Sequence, residues 1–459
     1  MNIAFRVDSS SEIGLGHISR CITLADEFKK KKCKVFFISK EIENYSKAIL
    51  KKKKIKLNII KNNITDSKET LRIVNRNKID LIFLDHYQLD LKWEKEVIKK
   101  TKLAFIDDFY RRRSIADFYI NYHGFLYGKK LVKLRTQCKK LIGFEYSILK
   151  KININKKKQN KNIFIYFGAV DKKKNSLKLL KILNDKNVEE FKFKFFINEN
   201  FKINKIFSKK NIFLYRKKSK NILSQMFNSK KIITQAGVSL YEALSTGNEV
   251  ICIPTTKFQK NIAKHLAKFC NFHTLNNMNK IQFFLNKKID TKLNKEVLDG
   301  FGAERIANFI VEKKVEPKLK KLEKKDHLSL YNLRTDFLTQ KNSVIQKKFD
   351  FKAHKKFLRK SLNKSNWFAF KFKKNFIGHV RLDKKNNCYE IDYGISSPYR
   401  SKGLSLIILK KTLNQKNFLN KKFFAKVKKT NKYSNSNFKK MGFSLIHQQG
   451  KFNIFQKNA

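Results

Sequence analysis

Short apolar runs alternate with amphipathic stretches from the first residues onward. Asn2–Val7 has the pattern of a strand, and after Asp8 and the turn Gly14-Leu15-Gly16-His17 a helical spacing of apolar residues begins at Ile18. The alternation predicts further strands at Val35–Ser39, Ile79–Asp85, Leu103–Asp107 and Phe118–Asn121, since short continuous apolar runs suit a sheet covered on both faces. A lysine- and asparagine-rich stretch, Lys150–Asn162, separates Gly143–Leu149 from a new apolar strand at Ile163–Phe167 and reads as a linker. Strands then follow near Phe191–Ile197, Ile212–Tyr215, Lys231–Thr234 and Glu249–Pro254, with helices between them, one of them Leu240–Ser245.

This order predicts an α/β protein with largely parallel sheets, built as two Rossmann-like domains over residues 1–150 and 151–315 that face each other across a cleft. The charged stretch Glu312–Lys325, with Pro317 inside it, carries little apolar periodicity and reads as a boundary or as a solvated helix. The pattern changes over 318–459: a helical start, strands at Trp367–Phe372, Phe376–Asp383 and Tyr389–Ile395, then a helix over Leu406–Leu413. That is a mixed α/β domain.

Composition changes the picture little. An apolar content of 41% in 459 residues is ordinary for a folded chain with several cores. The formal charge of +68 favours phosphate-bearing partners, but the lysines are spread over the whole length beside abundant Asn, Ile and Phe and only three prolines. An AT-rich genome writes such a surface anywhere, so no specific nucleic-acid partner is expected. The cysteines at 21, 33, 138, 252, 270 and 388 form no C-x-x-C pair, so neither a metal site nor a disulfide framework is expected. No apolar run is long enough to span a bilayer, and the first segment reads as a strand, so a cytoplasmic location without membrane insertion is expected. The oligomeric state is left open.

Two loops carry candidate chemistry. Gly14 and Gly16 let backbone approach a ligand, the helix start behind them attracts an anion such as a diphosphate, and His17 is of a type that titrates near neutrality. The alternative is a tight turn followed by a surface histidine. Gln235-Ala236-Gly237-Val238-Ser239 repeats the strand–loop–helix arrangement, and Glu242, one turn into the helix, is placed to accept hydrogen bonds from ribose hydroxyls. Its alternative is a helix cap with a solvent-facing glutamate.

Arg6, Asp8, Gly14, Gly16, His17 and Arg20 fall into R-x-D-x(5)-G-x-G-H-x-x-R. This resembles the start of the bacterial UDP-2,4-diacetamido-2,4,6-trideoxy-β-L-altropyranose hydrolases of pseudaminic acid biosynthesis. The resemblance continues through Asp85-His86-Tyr87, Asp107-Asp108, Asn121, Gly143 with Tyr146, Phe167-Gly168-Ala169 with Asp171, and Gly237-Val238-Ser239 with Glu242, and so covers about the first two-thirds of the chain. Gln259 and Asn261 match the family's Q-x-N; Phe167 departs from it by replacing a glycine, and Asn175 is a minor candidate. The second unit resembles the nucleotide site of the peptidoglycan-type glycosyltransferases, which implies a glycosyltransferase-B-like arrangement. The resemblance implies that His17 activates water at C1 with inversion, that Asp8 and Arg6 orient His17 or the sugar, and that Gly237–Ser239 hold the diphosphate. His86 is a second candidate base, kept as a site-lining residue. Of Asp107 and Asp108, neighbours on a strand, at most one enters the cleft.

Near the other end, Ile395 precedes Arg400-Ser401-Lys402-Gly403-Leu404-Ser405 at a helix start, and Val427, Asn431, Ser434, Phe438 and Gly442-Phe443 follow. Both motifs resemble the acetyl-coenzyme A site of the GNAT N-acetyltransferases, whose loop N–H groups cradle the pyrophosphate. Asn332, Arg334 and His354 resemble substrate-side positions of acetyltransferases acting on amino sugars. Many relatives carry a tyrosine where Phe438 stands, which leaves Tyr433 or water to protonate the departing thiolate, and Glu390 or His354 to route the amine proton. Together the resemblances imply consecutive steps: acetylation of a UDP-4-amino-sugar, then release of UDP from the product. Alternatives are transfer of the sugar to an acceptor instead of water, and a nucleic-acid-binding protein driven by charge. A basic surface would help to attract UDP-sugars and coenzyme A.

Overall fold

The structure is a computed structural model that describes residues 1–10, 12–61, 65–108, 112–124, 134, 137–151, 161–168, 171, 173–186, 188–197, 209–215, 222–312, 314–345, 350–362 and 364–458. Most of the expected linker, residues 152–160, lies outside these, as do Ala169 and Val170. The chain divides into two compact units, Met1–Ala307 and Asn308–Ala459.

The first unit holds two parallel sheets. One is formed by β1 (Asn2–Val7), β2 (Lys34–Ser39), β3 (Lys56–Ile59), β4 (Leu81–Asp85), β5 (Lys102–Ile106), β6 (Phe118–Asn121) and β7 (Lys139–Ile142), in the order β3-β2-β1-β4-β5-β6-β7. The second is formed by β8 (Asn162–Tyr166), β9 (Lys192–Phe196), β10 (Ile212–Tyr215), β11 (Lys231–Thr234), β12 (Glu249–Cys252) and β13 (His273–Thr274), in the order β10-β9-β8-β11-β12-β13. In each sheet the order reverses beside the first strand, between β1 and β4 and between β8 and β11. Connections there leave in opposite directions and open a crevice at the carboxyl ends. The loops after β1, β4, β8 and β11 are those the sequence singles out.

The buried faces explain why these runs become strands. Ile3, Ala4, Phe5 and Val7 of β1 are fully buried, as are Leu81, Ile82, Phe83 and Leu84 of β4, and Phe5 stacks on Phe37 and Phe83 with ring centroids 5.1 and 4.9 Å apart. Close packing also fixes the helix Gly302–Val311. A Cβ at Gly302 would stand 2.1 Å from the Ser147 carbonyl oxygen and 2.6 Å from its nitrogen. Backbone cannot give way as a side chain does, so Gly302→Ala is expected to destabilise the first unit by about 3 kcal/mol, seen as a lower urea midpoint.

The second unit is one sheet of β14 (Lys318–Lys321), β15 (Asn366–Phe372), β16 (Asn375–Lys385), β17 (Cys388–Ile395), β18 (Lys422–Lys428), β19 (Ser444–Gln449) and β20 (Phe452–Asn458), in the order β14-β15-β16-β17-β18-β20-β19. It is antiparallel except for β17 beside β18. The stretch Glu312–Lys325, expected as a boundary or a solvated helix, instead contains the edge strand β14, paired with β15 through Leu319↔Phe370. Three of its four residues are lysines, a composition that protects an edge from further pairing and hides it from an apolar-pattern reading. β3, β7, β13 and β18–β20 likewise exceed the expected set. Helices begin two residues earlier than expected at Gly16, Val238 and Leu404.

Candidate active site

His17 opens the helix Gly16–Lys30, and Asp85 ends β4. Parallel pairing sets Val7 beside Asp85, which brings the two loops together. His17 Nδ1 lies 2.5 Å from Asp85 Oδ1, and its ring meets Tyr87 edge-on at 4.4 Å. Arg20, one turn along the helix and 2% exposed, donates to both oxygens of Asp85 (2.7 and 2.6 Å), to Asp108 (2.7 Å) and to the Tyr122 hydroxyl (2.7 Å). Burial alone would push the Asp85 carboxyl up, but Arg20 and then His17 outweigh it and hold it below the usual range. An ionised carboxylate only accepts, so His17 donates from Nδ1, which in the neutral ring leaves the lone pair on Nε2. That is the form of a general base. Asp108 also binds Tyr87 (2.9 Å) and His123 (3.3 Å), and His123 reaches the Tyr241 hydroxyl at 2.6 Å. Asp107 instead accepts from Tyr119.

Several expected ligands have other occupations. Arg6, 1% exposed, pairs with Asp8 and Asp66, and Asp8 accepts from His86 at 3.0 Å. Asp85, not Asp8 or Arg6, therefore orients His17. His86 spends both ring nitrogens, Nε2 on Asp8 and Nδ1 as acceptor for the backbone N–H groups of Gln88 and Leu89, which removes it as a base. Asn121 is buried and accepts from Gly124 N–H.

Beside this cluster lies a cleft of about 840 Å³ lined by Gly14, Leu15 and Gly16 from one sheet and by Gly168, Asp171, Gly237, Val238, Ser239, Glu242 and Gln259 from the other. His17 is not among the lining residues, although its neighbour Gly16 is. Gly14 has φ +82°, which favours glycine. The first residues of the helix Val238–Ser245 line the cleft, and the N–H groups of a helix start lack intrahelical acceptors. The Ser239 hydroxyl accepts from Thr234 (2.8 Å), and Gln259 Oε1 accepts from the N–H and hydroxyl of Thr255. Asp171 caps the helix Asn175–Asp185, accepting from Asn175 and Ser176 N–H, so its carboxylate serves the fold. Asn261 is exposed and does not line the cleft.

Burial raises the Glu242 carboxyl to about 7, with Lys150 partly offsetting it. A carboxylate accepts more strongly than a neutral carboxyl, by about 1 kcal/mol per bond. If Glu242 receives ribose hydroxyls, uridine, which has no phosphate to titrate, is expected to bind about fivefold more tightly at pH 8 than at pH 6. Glu242→Gln should flatten that profile in calorimetry.

In the second unit the expected cofactor loop joins β17 to the helix Leu404–Leu413. Ser401 and Gly403 have φ +60° and +71°, and Ser401, Lys402 and Gly403 are exposed. The turn presents backbone donors, with Ser405 in the first helical turn. Its cationic side chains are engaged elsewhere: Arg400 bonds Asp336 (2.7 Å), Thr339 (2.9 Å) and the Ile395 carbonyl (3.1 Å), and Lys402 lies over the rings of Phe309 and Tyr399. Leu404 is buried and contributes backbone only. Asn431 caps the helix Lys432–Lys440 by accepting from Ser434 N–H, and Phe438 is buried against Phe443 and Phe455. On the facing helix His327–Thr335, Arg334 donates to Asp392 at 3.0 Å and Asn332 is half-buried. Burial lowers His354, which stacks on His327, to about 4.

Residues 328–443 match the acetyltransferase (GNAT) family. The chain has other relatives too. Over 277 residues, 58% of this chain and 97% of the other, it is 26% identical to the UDP-2,4-diacetamido-2,4,6-trideoxy-β-L-altropyranose hydrolase of Campylobacter jejuni. It is also 25% identical over 288 residues to an uncharacterised protein of Methanocaldococcus jannaschii, a match that spans 57% of each chain. Among solved structures, a glycotransferase of kitacinnamycin superposes on 67% of this chain and 98% of its own with a TM-score of 0.51 and 9% identity. The architecture is thus two Rossmann-like domains in a glycosyltransferase-B-like arrangement within the first unit, followed by a GNAT domain.

Sequence reasoning gave no role to Asp66, His123, Tyr241 or Tyr393. Asp66 opens a helix far along the chain from Arg6 yet bonds it at 2.6 Å, a pairing with no local signal. Tyr393 of the GNAT domain lies on β17, two residues before Ile395. Its apolar strand context conceals a hydroxyl bonded to Ser434 and Asn437. No helix among the described residues is long and apolar enough to cross a membrane.

Proposed function

We propose that the chain is a bifunctional nucleotide-sugar enzyme. Its first unit hydrolyses UDP-2,4-diacetamido-2,4,6-trideoxy-β-L-altropyranose to free sugar and UDP. Its GNAT domain uses acetyl-CoA to N-acetylate the UDP-4-amino-sugar that precedes it. The observation that carries the reading is the His17–Asp85 pair next to Gly16, at the edge of a cleft where a helix N-terminus, Ser239 and Glu242 converge. UDP fits that cleft with its diphosphate at the N-terminus of the helix Val238–Ser245 and its ribose on Glu242. Water, deprotonated by His17 Nε2, forms a bond to C1 as the C1–O bond to UDP breaks, and the diphosphate carries the charge away. UDP is a good enough leaving group that one base suffices, without the acid that ordinary glycosidases need.

In the GNAT domain the amine lone pair attacks the thioester carbonyl while the N–H groups around Gly403 hold the pyrophosphate. Transfer of the sugar to an acceptor is a second reading of the first unit, favoured by the glycotransferase-like fold. Incubation with the UDP-4-amino-sugar, followed by mass spectrometry and NMR, tests both. The expected result is acetylation, then release of UDP and free sugar, only when acetyl-CoA is present. An acetylated UDP-sugar that persists until an acceptor is added would overturn hydrolysis.

A further inference from the structure

β17 and β18 run parallel but pair only from Cys388↔Lys422 to Glu390↔Phe424. β17 continues to Ile395 and β18 to Lys428 with no further pairing between them among the described residues. Diverging strands leave main-chain N–H and C=O groups facing the gap, where an amide-bearing chain such as a pantetheine arm can pair. Tyr393 lies in that unpaired section. Its hydroxyl donates to Ser434 Oγ at 2.9 Å and accepts from Asn437 Nδ2 at 3.1 Å, both on the helix that follows β18. Its ring stands 5.8 Å from that of Phe438, the position that offers no proton. Tyr433, the phenol nearest Phe438 in sequence, is 83% exposed.

We propose that Tyr393 is the proton donor to the departing thiolate of coenzyme A, an assignment that rests on the acetyl transfer proposed above. As the substrate nitrogen bonds to the carbonyl carbon, the C–S bond breaks and its electron pair takes the Tyr393 proton. The ammonium formed on nitrogen gives up a proton to solvent, and the phenolate is reprotonated from solvent, so nothing else is consumed. Ser434 Oγ holds that proton until sulfur replaces it. Burial raises the phenol, partly offset by its bonds to Asn437 and Ser434, so the hydroxyl is protonated at neutral pH.

Tyr393→Phe keeps the ring against Phe438 and removes only the hydroxyl, with its bonds to Ser434 and Asn437. With acetyl-CoA and the UDP-4-amino-sugar, kcat is expected to fall about 10- to 100-fold, while the KM for acetyl-CoA and the Kd for coenzyme A stay within about twofold of the parent. An unchanged kcat would leave the thiolate to water, and a parallel loss of coenzyme A affinity would make Tyr393 a packing residue. Either result overturns the assignment. A parent protein that transfers no acetyl group to that amine would instead overturn the activity on which the assignment rests.

Discussion

Replacing His17 by alanine is expected to lower the rate of UDP release by about 10³-fold, roughly 4 kcal/mol of transition-state stabilisation, and to leave the Kd for UDP unchanged. The two outcomes separate because His17 does not line the cleft in which Ser239, Glu242 and the helix N-terminus lie. A loss of kcat without a change in nucleotide affinity marks an interaction made only in the transition state. Asp85→Asn should act in the same direction by about 10²-fold, because an amide does not oblige His17 to donate from Nδ1. Isothermal titration with UDP and a coupled assay of UDP release measure both quantities. A His17→Ala protein with normal turnover would remove His17 as the base, and one that loses UDP affinity as well would make it a binding residue.

Much of this arrangement is legible in the sequence. Residues at the ends of buried strands stand out because the runs that deliver them are apolar, as LIFLD delivers Asp85 and KIIT delivers Gln235. Backbone freedom is legible as well, since Gly14 and Gly403 sit where the chain needs a positive φ. What a polar side chain touches is a different kind of information. Arg6 and Asp8 share the motif with His17, and only the fold shows that Asp66 and His86 occupy them. Arg400 sits at the start of a phosphate-type loop, yet Asp336 and Thr339 take its guanidinium. Asp171 reads as a ligand and serves as a helix cap. Each partner lies far along the chain or is set by a turn, and periodicity carries no record of either. Charge misled in the same way at β14, where lysines on an edge strand read as a boundary or a solvated helix.

Arg20→Ala is expected to destabilise the first unit by about 3–5 kcal/mol. Arg20 holds two buried carboxylates at once, Asp85 and Asp108, and both lie below the usual carboxylate range in spite of burial, Arg20 being the largest opposing cause for each. Without it, burial dominates and each carboxyl is pushed up. The pH dependence of stability then changes sign. In the parent protein both groups have folded values below the unfolded one, about 3.9. Their contribution is therefore present above that value and is lost as the pH falls through the folded values. In the variant the folded values lie above the unfolded one, so stability is lost as pH rises through them and is regained on mild acidification. Between pH 7.5 and 5.5 the parent is expected to hold its urea midpoint, whereas Arg20→Ala gains stability. Amide exchange of β1 and β4, read by mass spectrometry at both pH values, assigns the change to this unit. A variant that holds its urea midpoint over that range as the parent does would mean that His17, His123 and Tyr87 suffice to keep the carboxylates ionised.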